Sequence, residues 1–372
     1  PTPVSAYLHS AAMVKLGIFL TARMYPIFIQ CELWAPTLIS IGFLTMLIGA
    51  LFALLSHDIK GILAYTTVSQ LGFLIGFYGL GSIQGIEHDF FHILNHVLYK
   101  GSLFMIAGIV IHSIGTKDLR EMGGLFSAMP LTALACLFSV AGMASIPGTS
   151  GFISKELMLN QILSFVSVQK GWTVLLPIVI VISAACLVAC GLRLFFNIFI
   201  KAPSKEISIH RPSLLFQMPP FILSLGVLFL GLFPFVSGHL LELLYTPYLH
   251  ISHFHPLAIF HGFNLPLLIS GAAILSGTLI YIIFDQASWS YSRIPSILRF
   301  DDGFMSLLRG IERLAVRIIE ILRLDRPLDY IIITISFIIF VVATHLFPIY
   351  SSLGPLFLLD DSIPPLHMLI TF

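Results

Sequence analysis

The sequence predicts an all-α protein that crosses a membrane many times. Hydrophobic residues make up 57% of its 372 positions and charged residues only 10%, against about 25% charged in soluble domains. Mean hydropathy is +0.98. The apolar residues gather in runs of about twenty, the length an α-helix needs to cross a hydrocarbon core about 30 Å thick. A net charge of +1 gives no reason to expect a nucleic-acid partner, so the expected surroundings are a lipid bilayer. Cys186 and Cys190 sit four apart on one apolar run, a spacing that suits neither a disulfide framework nor a zinc or iron–sulfur site. No cofactor, metal or chemistry of its own is expected.

The spans follow in order. The first runs from Val4 to Arg23 and contains His9 and Lys15. These two point to different azimuths on one helix and need not share a pathway. The second covers Pro36–Leu55 and the third Ile59–Leu80, with Asp58 as N-cap and Lys60 in the first turn. Tyr65, Thr66, Thr67, Ser69 and Gln70 form a polar cluster that lines water or bonds neighbouring helices. The fourth covers Ile86–Ser113 and ends in a charged, glycine-containing loop. Met129–Phe165 is too long for one straight crossing and is interrupted at Pro147-Gly148-Thr149-Ser150-Gly151, which predicts two half-helices around an unwound segment. Irregular backbone at membrane depth is tolerated only where protein or water satisfies it, and transporters place ion sites there. Pro147, Gly148 and Gly151 define the break, and Lys155 follows it by one turn.

Thr173–Ile200, Pro219–Val236 and Leu265–Phe284 are further spans. Between the last two, His239, His250, His253, His255 and His261 lack a repeated ligand spacing and read as surface residues. From Arg293 to Arg326, Arg309, Arg313, Arg317, Glu312 and Glu320 alternate with apolar residues, the pattern of a basic amphipathic helix on a membrane surface. A final span, Tyr330–Phe347, leads to a proline-rich tail.

The most informative stretch lies inside the fourth span. His92, His96 and Lys100 recur every fourth residue. Four residues turn an α-helix by about 400°, so the three share one stripe about 12 Å long. Lys100 sits near mid-membrane, where a lysine facing lipid costs about 3 kcal/mol or more. Two imidazoles and an amine in a row suit a proton relay. Lysine and arginine also set the orientation. Lys60, Lys117, Arg120, Lys201, Lys205, Arg211 and the Arg293–Arg326 helix fall on one side. The positive-inside rule makes that side cytoplasmic, with the loops at 56–60, 114–128, 201–214 and 285–328.

Four stretches carry a family resemblance. They are Pro1-Thr2-Pro3-Val4-Ser5-Ala6 with His9; His57-Asp58-Ile59-Lys60-Gly61 through Tyr65-Thr66-Thr67-Val68-Ser69-Gln70-Leu71-Gly72; His92…His96…Lys100; and Gly151-Phe152-Ile153-Ser154-Lys155-Glu156. The sequence resembles the antiporter-like subunits, shared by Mrp-type cation/proton antiporters and the proton-pumping membrane subunits of respiratory complex I. Tyr7-Leu8-His9-Ser10 with Met13-Val14-Lys15, and His261-Gly262-Phe263-Asn264-Leu265-Pro266-Leu267-Leu268, look like the A-type subunits of Mrp antiporters.

The resemblance implies an antiporter-like inverted five-helix repeat with a broken transmembrane helix. Residues 1–35 would be the last helix of the first repeat and 36–200 the second repeat, carrying the ion and proton pathway. Residues 201–290 would add transmembrane helices, 291–328 the amphipathic helix, and 329–372 the final span and tail. His92, His96 and Lys100 would be the central relay, Lys155 the terminal lysine and Lys60 the entry lysine. His9 would link to the other half-channel. Lys15, by its own position, lies too deep to snorkel easily to the surface and is a further candidate for the pathway. The chain is expected to lack about seven preceding helices. The implied function is a membrane subunit of a sodium/proton antiporter, embedded with other subunits in the cell membrane. A proton-pumping L-type subunit of an NADH:quinone oxidoreductase and a non-transporting scaffold are the alternatives.

Overall fold

The computed structural model describes residues 2–28, 30–80, 85–169, 171–203, 208–249, 257, 262–287, 300–322 and 327–357. Lys205, His250, His253, His255, His261, Arg293 and Arg326, used above, lie outside the described residues. Thirteen α-helices occur among the described residues. They are α1 (Thr2–Ser10), α2 (Met13–Phe28), α3 (Trp34–Leu55), α4 (Ile59–Tyr78), α5 (Gly85–Ile114), α6 (Pro130–Met143), α7 (Ser150–Gln169), α8 (Leu176–Phe195), α9 (Leu214–Leu232), α10 (Pro234–Leu249), α11 (Leu265–Ala287), α12 (Phe300–Leu322) and α13 (Pro327–Phe357). A 3₁₀ turn, Gly171–Leu175, leads into α8 and a π turn, Phe196–Ile200, ends it. The chain is a multi-pass membrane protein, with seven described helical stretches long and apolar enough to cross a bilayer.

Three elements differ from the sequence reading. The first span is broken at Ala11–Ala12, where the N–H groups of both residues converge on the Tyr7 carbonyl. Alanine itself favours helix, but Ser10 just before the break donates its hydroxyl to the Ala6 carbonyl, a back-bond that bends helices. The histidine-rich segment begins as a helix, α10, of which His239 is part. The eighth span starts earlier, at Leu214, and holds Pro219 and Pro220 inside it. The long apolar stretch, by contrast, divides as its proline and glycines require: α6 ends at Met143 and α7 starts at Ser150.

Within Pro1–Arg293, the first of two compact units, α3 and α4 cross where Gly42 faces Gly76. A Cβ on Gly42 would stand 2.2 Å from the Gly76 nitrogen, so only glycine permits the approach. α5 is central, with Phe91, Tyr99, Phe104 and Val110 among its buried residues.

The loops of one end are tied together. Ile59 N–H donates to the Lys117 carbonyl (3.0 Å) and Leu119 N–H to the His57 carbonyl (2.8 Å). Leu125 and Phe126 donate to Ile198 and Phe199, and His210 to Ser113. Arg193 donates to the Leu54 and Ser56 carbonyls, satisfying backbone acceptors at the end of α3. Lys60, Lys117, Arg120, Lys201 and Arg211 thus belong to segments gathered at one end of the bundle. Asp58 caps α4, accepting from the N–H groups of Lys60 and Gly61, and pairs with Lys117 at 2.8 Å.

The second unit, Ile294–Phe372, holds α12 and α13. Arg309, Glu312, Arg313, Arg317 and Glu320 are exposed along α12.

Candidate functional site: a buried histidine–lysine row

α5 presents His92, His96 and Lys100 on one stripe, and all three are buried, at 5%, 0% and 0% exposure. Each is engaged by a different set of helices. His92 Nε2 donates to Gln70 Oε1 of α4 (2.8 Å), and its Nδ1 accepts from the Ser154 hydroxyl of α7 (2.9 Å). The amide oxygen can only accept, so the neutral ring carries its proton on Nε2. His96 Nδ1 lies 2.9 Å from Lys15 Nζ of α2. An ammonium there donates to the imidazole. Lys100 donates to the Leu63 carbonyl (3.2 Å) and to the Thr66 hydroxyl, both on α4. Among the described residues no hydrogen bond joins His92 to His96 or His96 to Lys100.

The α1–α2 break explains the arrival of Lys15. On one straight helix His9 and Lys15 diverge; with the helix interrupted between them, Lys15 reaches His96. His9 stacks on Phe104 at 5.6 Å between ring centroids. Phe104 is the next residue of the same stripe, four after Lys100.

Lys155, one turn into α7, shares a cavity with Gln70, His92, Asn95 and the residues at the break, Met143, Ala144 and Ser145. The cavity offers about 40 Å³ to the centres of water molecules, room for roughly three waters at about 10–15 Å³ each. The break is closely built. Ser145 and Gly148 have φ of 56° and 90°, the left-handed region. A Cβ on Gly151 would stand 2.0 Å from the Gly142 carbonyl oxygen, so the start of α7 seats directly on the end of α6. Ser150 donates to Asn95 of α5 at 2.6 Å. Lys60 is half-buried at the start of α4, one turn before Leu63.

The sequence reading missed Asn95, Ser150 and Ser154. Ser150 and Ser154 are four apart, the same period as the row they face, and that match is the signal available in the sequence.

A family model described as "NADH:quinone oxidoreductase/Mrp antiporter, TM" matches residues 1–184. A probable K(+)/H(+) antiporter A/B subunit of Rhizobium meliloti is 37% identical over 309 residues, covering 82% of this chain and 31% of its own length. The A subunit of the Na(+)/H(+) antiporter of Alkalihalophilus pseudofirmus is 33% identical over 343 residues, covering 83% of this chain and 42% of its own. The chain belongs to the NADH:quinone oxidoreductase/Mrp antiporter family. The solved Mrp complex of Dietzia sp. DQ12-45-1b contains a chain that superposes with TM-score 0.74 at 29% identity, over 94% of this chain and 38% of the other. The chain therefore spans between 31% and 42% of the length of these relatives.

The matched region contains the whole row, the helix break and Lys155.

Proposed function

We propose that this chain is part of a subunit of a sodium/proton antiporter and carries a proton path through Lys155, His92, His96, Lys15 and Lys100. The relatives named above are antiporter A subunits, which favours this reading over a redox-driven pump. Their names divide between potassium and sodium, so both ions belong in any assay. One observation carries the path: among the described residues, neither Lys100 nor Lys15 has a carboxylate partner. Charged groups buried in a membrane protein pair with one another or with backbone carbonyls, and an acid would hold a lysine as a fixed ammonium. Lys15 instead faces an imidazole and Lys100 a hydroxyl, groups that can relay a proton, beside one backbone carbonyl that only accepts a hydrogen bond.

Residues 1–35 then close the first repeat, 36–200 form the second repeat with the path, and 201–290 add flanking helices. Residues 291–328 lie on the membrane surface, and 329–372 contain the final span. The end holding 56–60, 114–128 and 201–214 faces the cytoplasm. The complete antiporter includes further subunits, as the Dietzia complex suggests. Lys60 is the entry-side lysine, and His9 borders the path beyond Lys100.

The test is cation-driven dissipation of a pH gradient in everted vesicles, with sodium and potassium in separate runs and assembly read on a native gel. Lys100→Ala and Lys15→Ala are expected to assemble and to lose antiport to background with either ion. Assembled Lys100→Ala that transports at the native rate returns the row to a structural role. Labelling adds the orientation: a cysteine at Thr116 should react from the cytoplasmic side and one at Glu32 from the other.

A further inference from the structure

α7 starts directly after the irregular segment 144–149, so no preceding helical turn sets its rotation about its own axis. Contacts with α5 and α6 hold one side: Ser150 on Asn95, Ser154 on His92, and Gly151 against Gly142. A separate contact holds another face. Glu156 is 3% exposed, and its Oε1 accepts a hydrogen bond from Asn264 Nδ2 at 2.8 Å. Asn264 immediately precedes α11, and its Oδ1 accepts the N–H of Leu267 at 2.9 Å, capping that helix. The two bonds fix the amide's orientation, because the carboxylate needs a donor and the N–H an acceptor. The positive end of α11 adds to the attraction for the carboxylate. α11 is itself seated on α8, since a Cβ on Gly277 would stand 2.6 Å from the Ala185 carbonyl. α8 supplies Ile180, Ser183, Ala184 and Leu187 to the cavity wall.

We propose that Asn264 is a positioning residue: by holding Glu156 it sets the rotation of α7 and so aims the adjacent Lys155 into the cavity shared with His92 and Gln70. Neighbouring residues on a helix point about 100° apart, so a rotation that frees Glu156 carries Lys155 with it. The functional consequence rests on the proton path proposed above. The geometric claim does not. It also gives a role to the Gly262-Phe263-Asn264-Leu265-Pro266 stretch, in which Gly262 has φ of 84° and Asn264 serves two helices at once.

Four variants separate capping from positioning. Asn264→Ser keeps a good N-cap but is too short to reach Glu156, and Asn264→Ala loses both functions. Glu156→Gln with Asn264→Asp restores the link with donor and acceptor exchanged and keeps the cap. Lys155→Cys reports the aim of position 155 by its rate of reaction with a water-soluble maleimide. Cys31 is replaced by serine for this purpose, the other three cysteines being buried.

With the protein in its native membrane assembly, Asn264→Ser should change the labelling rate at 155 by about tenfold, and the Glu156→Gln/Asn264→Asp pair should return it to the starting value. With Lys155 intact, Asn264→Ser should lower antiport by about tenfold, as expected when a reacting group is misplaced by a fraction of an ångström. It should also shift the pH profile, which loss of a helix cap alone does not do. Labelling unchanged within about twofold in Asn264→Ser, or not restored by the exchanged pair, overturns the proposal. If Lys100→Ala transports normally while Asn264→Ser still alters labelling, the proton path falls and the positioning role stands.

Discussion

Two helices carry basic residues at the same period and do opposite things with them. α5 has His92, His96 and Lys100; α12 has Arg309, Arg313 and Arg317. On α12 the arginines are exposed and interleaved with Glu312 and Glu320, each three residues from an arginine, where side chains of opposite charge meet on a helix. On α5 the row is buried to 5% or less, and its partners are an amide, hydroxyls, a carbonyl and another lysine. The residue types differ as well. Arginine keeps its proton at any accessible pH, whereas histidine and lysine can exchange theirs. The period shows only that charges line up. Burial, partners other than acids among the described residues, and exchangeable protons are what support the proposed proton path.

The largest expected effect falls on α5. His96→Leu removes the acceptor for Lys15 and the central imidazole of the row. It should lower antiport at least about a hundredfold, the scale of losing a proton-transfer group, with assembly retained on a native gel. Survival of more than about half the activity would make α5 resemble α12. A second, structural effect sharpens the same contrast. Gly42→Ala forces a Cβ into the Gly76 backbone and should cost about 1–3 kcal/mol as overpacking, read as a lower melting temperature in detergent. The surviving folded protein should keep its antiport pH profile, because the α3–α4 crossing lies outside the row.

Asp58→Ala should cost less, about 1 kcal/mol for a lost N-cap. Burial pushes the Asp58 carboxyl up, but the Lys117 hydrogen bond, the Gly61 and Lys60 amides and the Lys117 charge together hold it below its ordinary value of 3.8. Its contribution is therefore full above the unfolded carboxylate range and is lost as pH falls through the lower, folded value. The difference in melting temperature between wild type and Asp58→Ala should be constant near neutral pH and shrink on acidification below about pH 4. A difference that grows on acidification would refute the cap. The smallest effect belongs to α12: Arg313→Gln should change antiport less than about twofold, as for other exposed charges.

Much of the fold could be read from local features. The apolar runs gave the spans, Asp58 before Ile59 gave a cap that the structure contains, and Pro147 with its glycines gave the interruption between α6 and α7. The row on α5 was legible because three residues on one helix need no tertiary information. Its partners were not. Lys15 meets His96 from a helix that starts after the break at Ala11–Ala12, an interruption that two alanines did not announce. Gln70 and Thr66 stood in a visible polar cluster, but their pairing with His92 and Lys100 depends on how α4 lies against α5. Ser154 and Asn264 are single polar residues whose importance comes from what lies opposite them, at separations of 62 and 108 residues. α10 was not anticipated: the histidines from His239 onward were read only as surface residues, although the segment from Pro234 is helical.

The central claim is that Lys100 acts by exchanging a proton and not by supplying a fixed charge. Lys100→Arg separates the two, since arginine keeps the charge and effectively cannot release the proton. The decisive measurement is sodium- and potassium-driven proton movement in everted vesicles carrying assembled Lys100→Arg protein. The account predicts transport at background, indistinguishable from Lys100→Ala. Transport by Lys100→Arg at the native rate, with Lys100→Ala inactive, would contradict it.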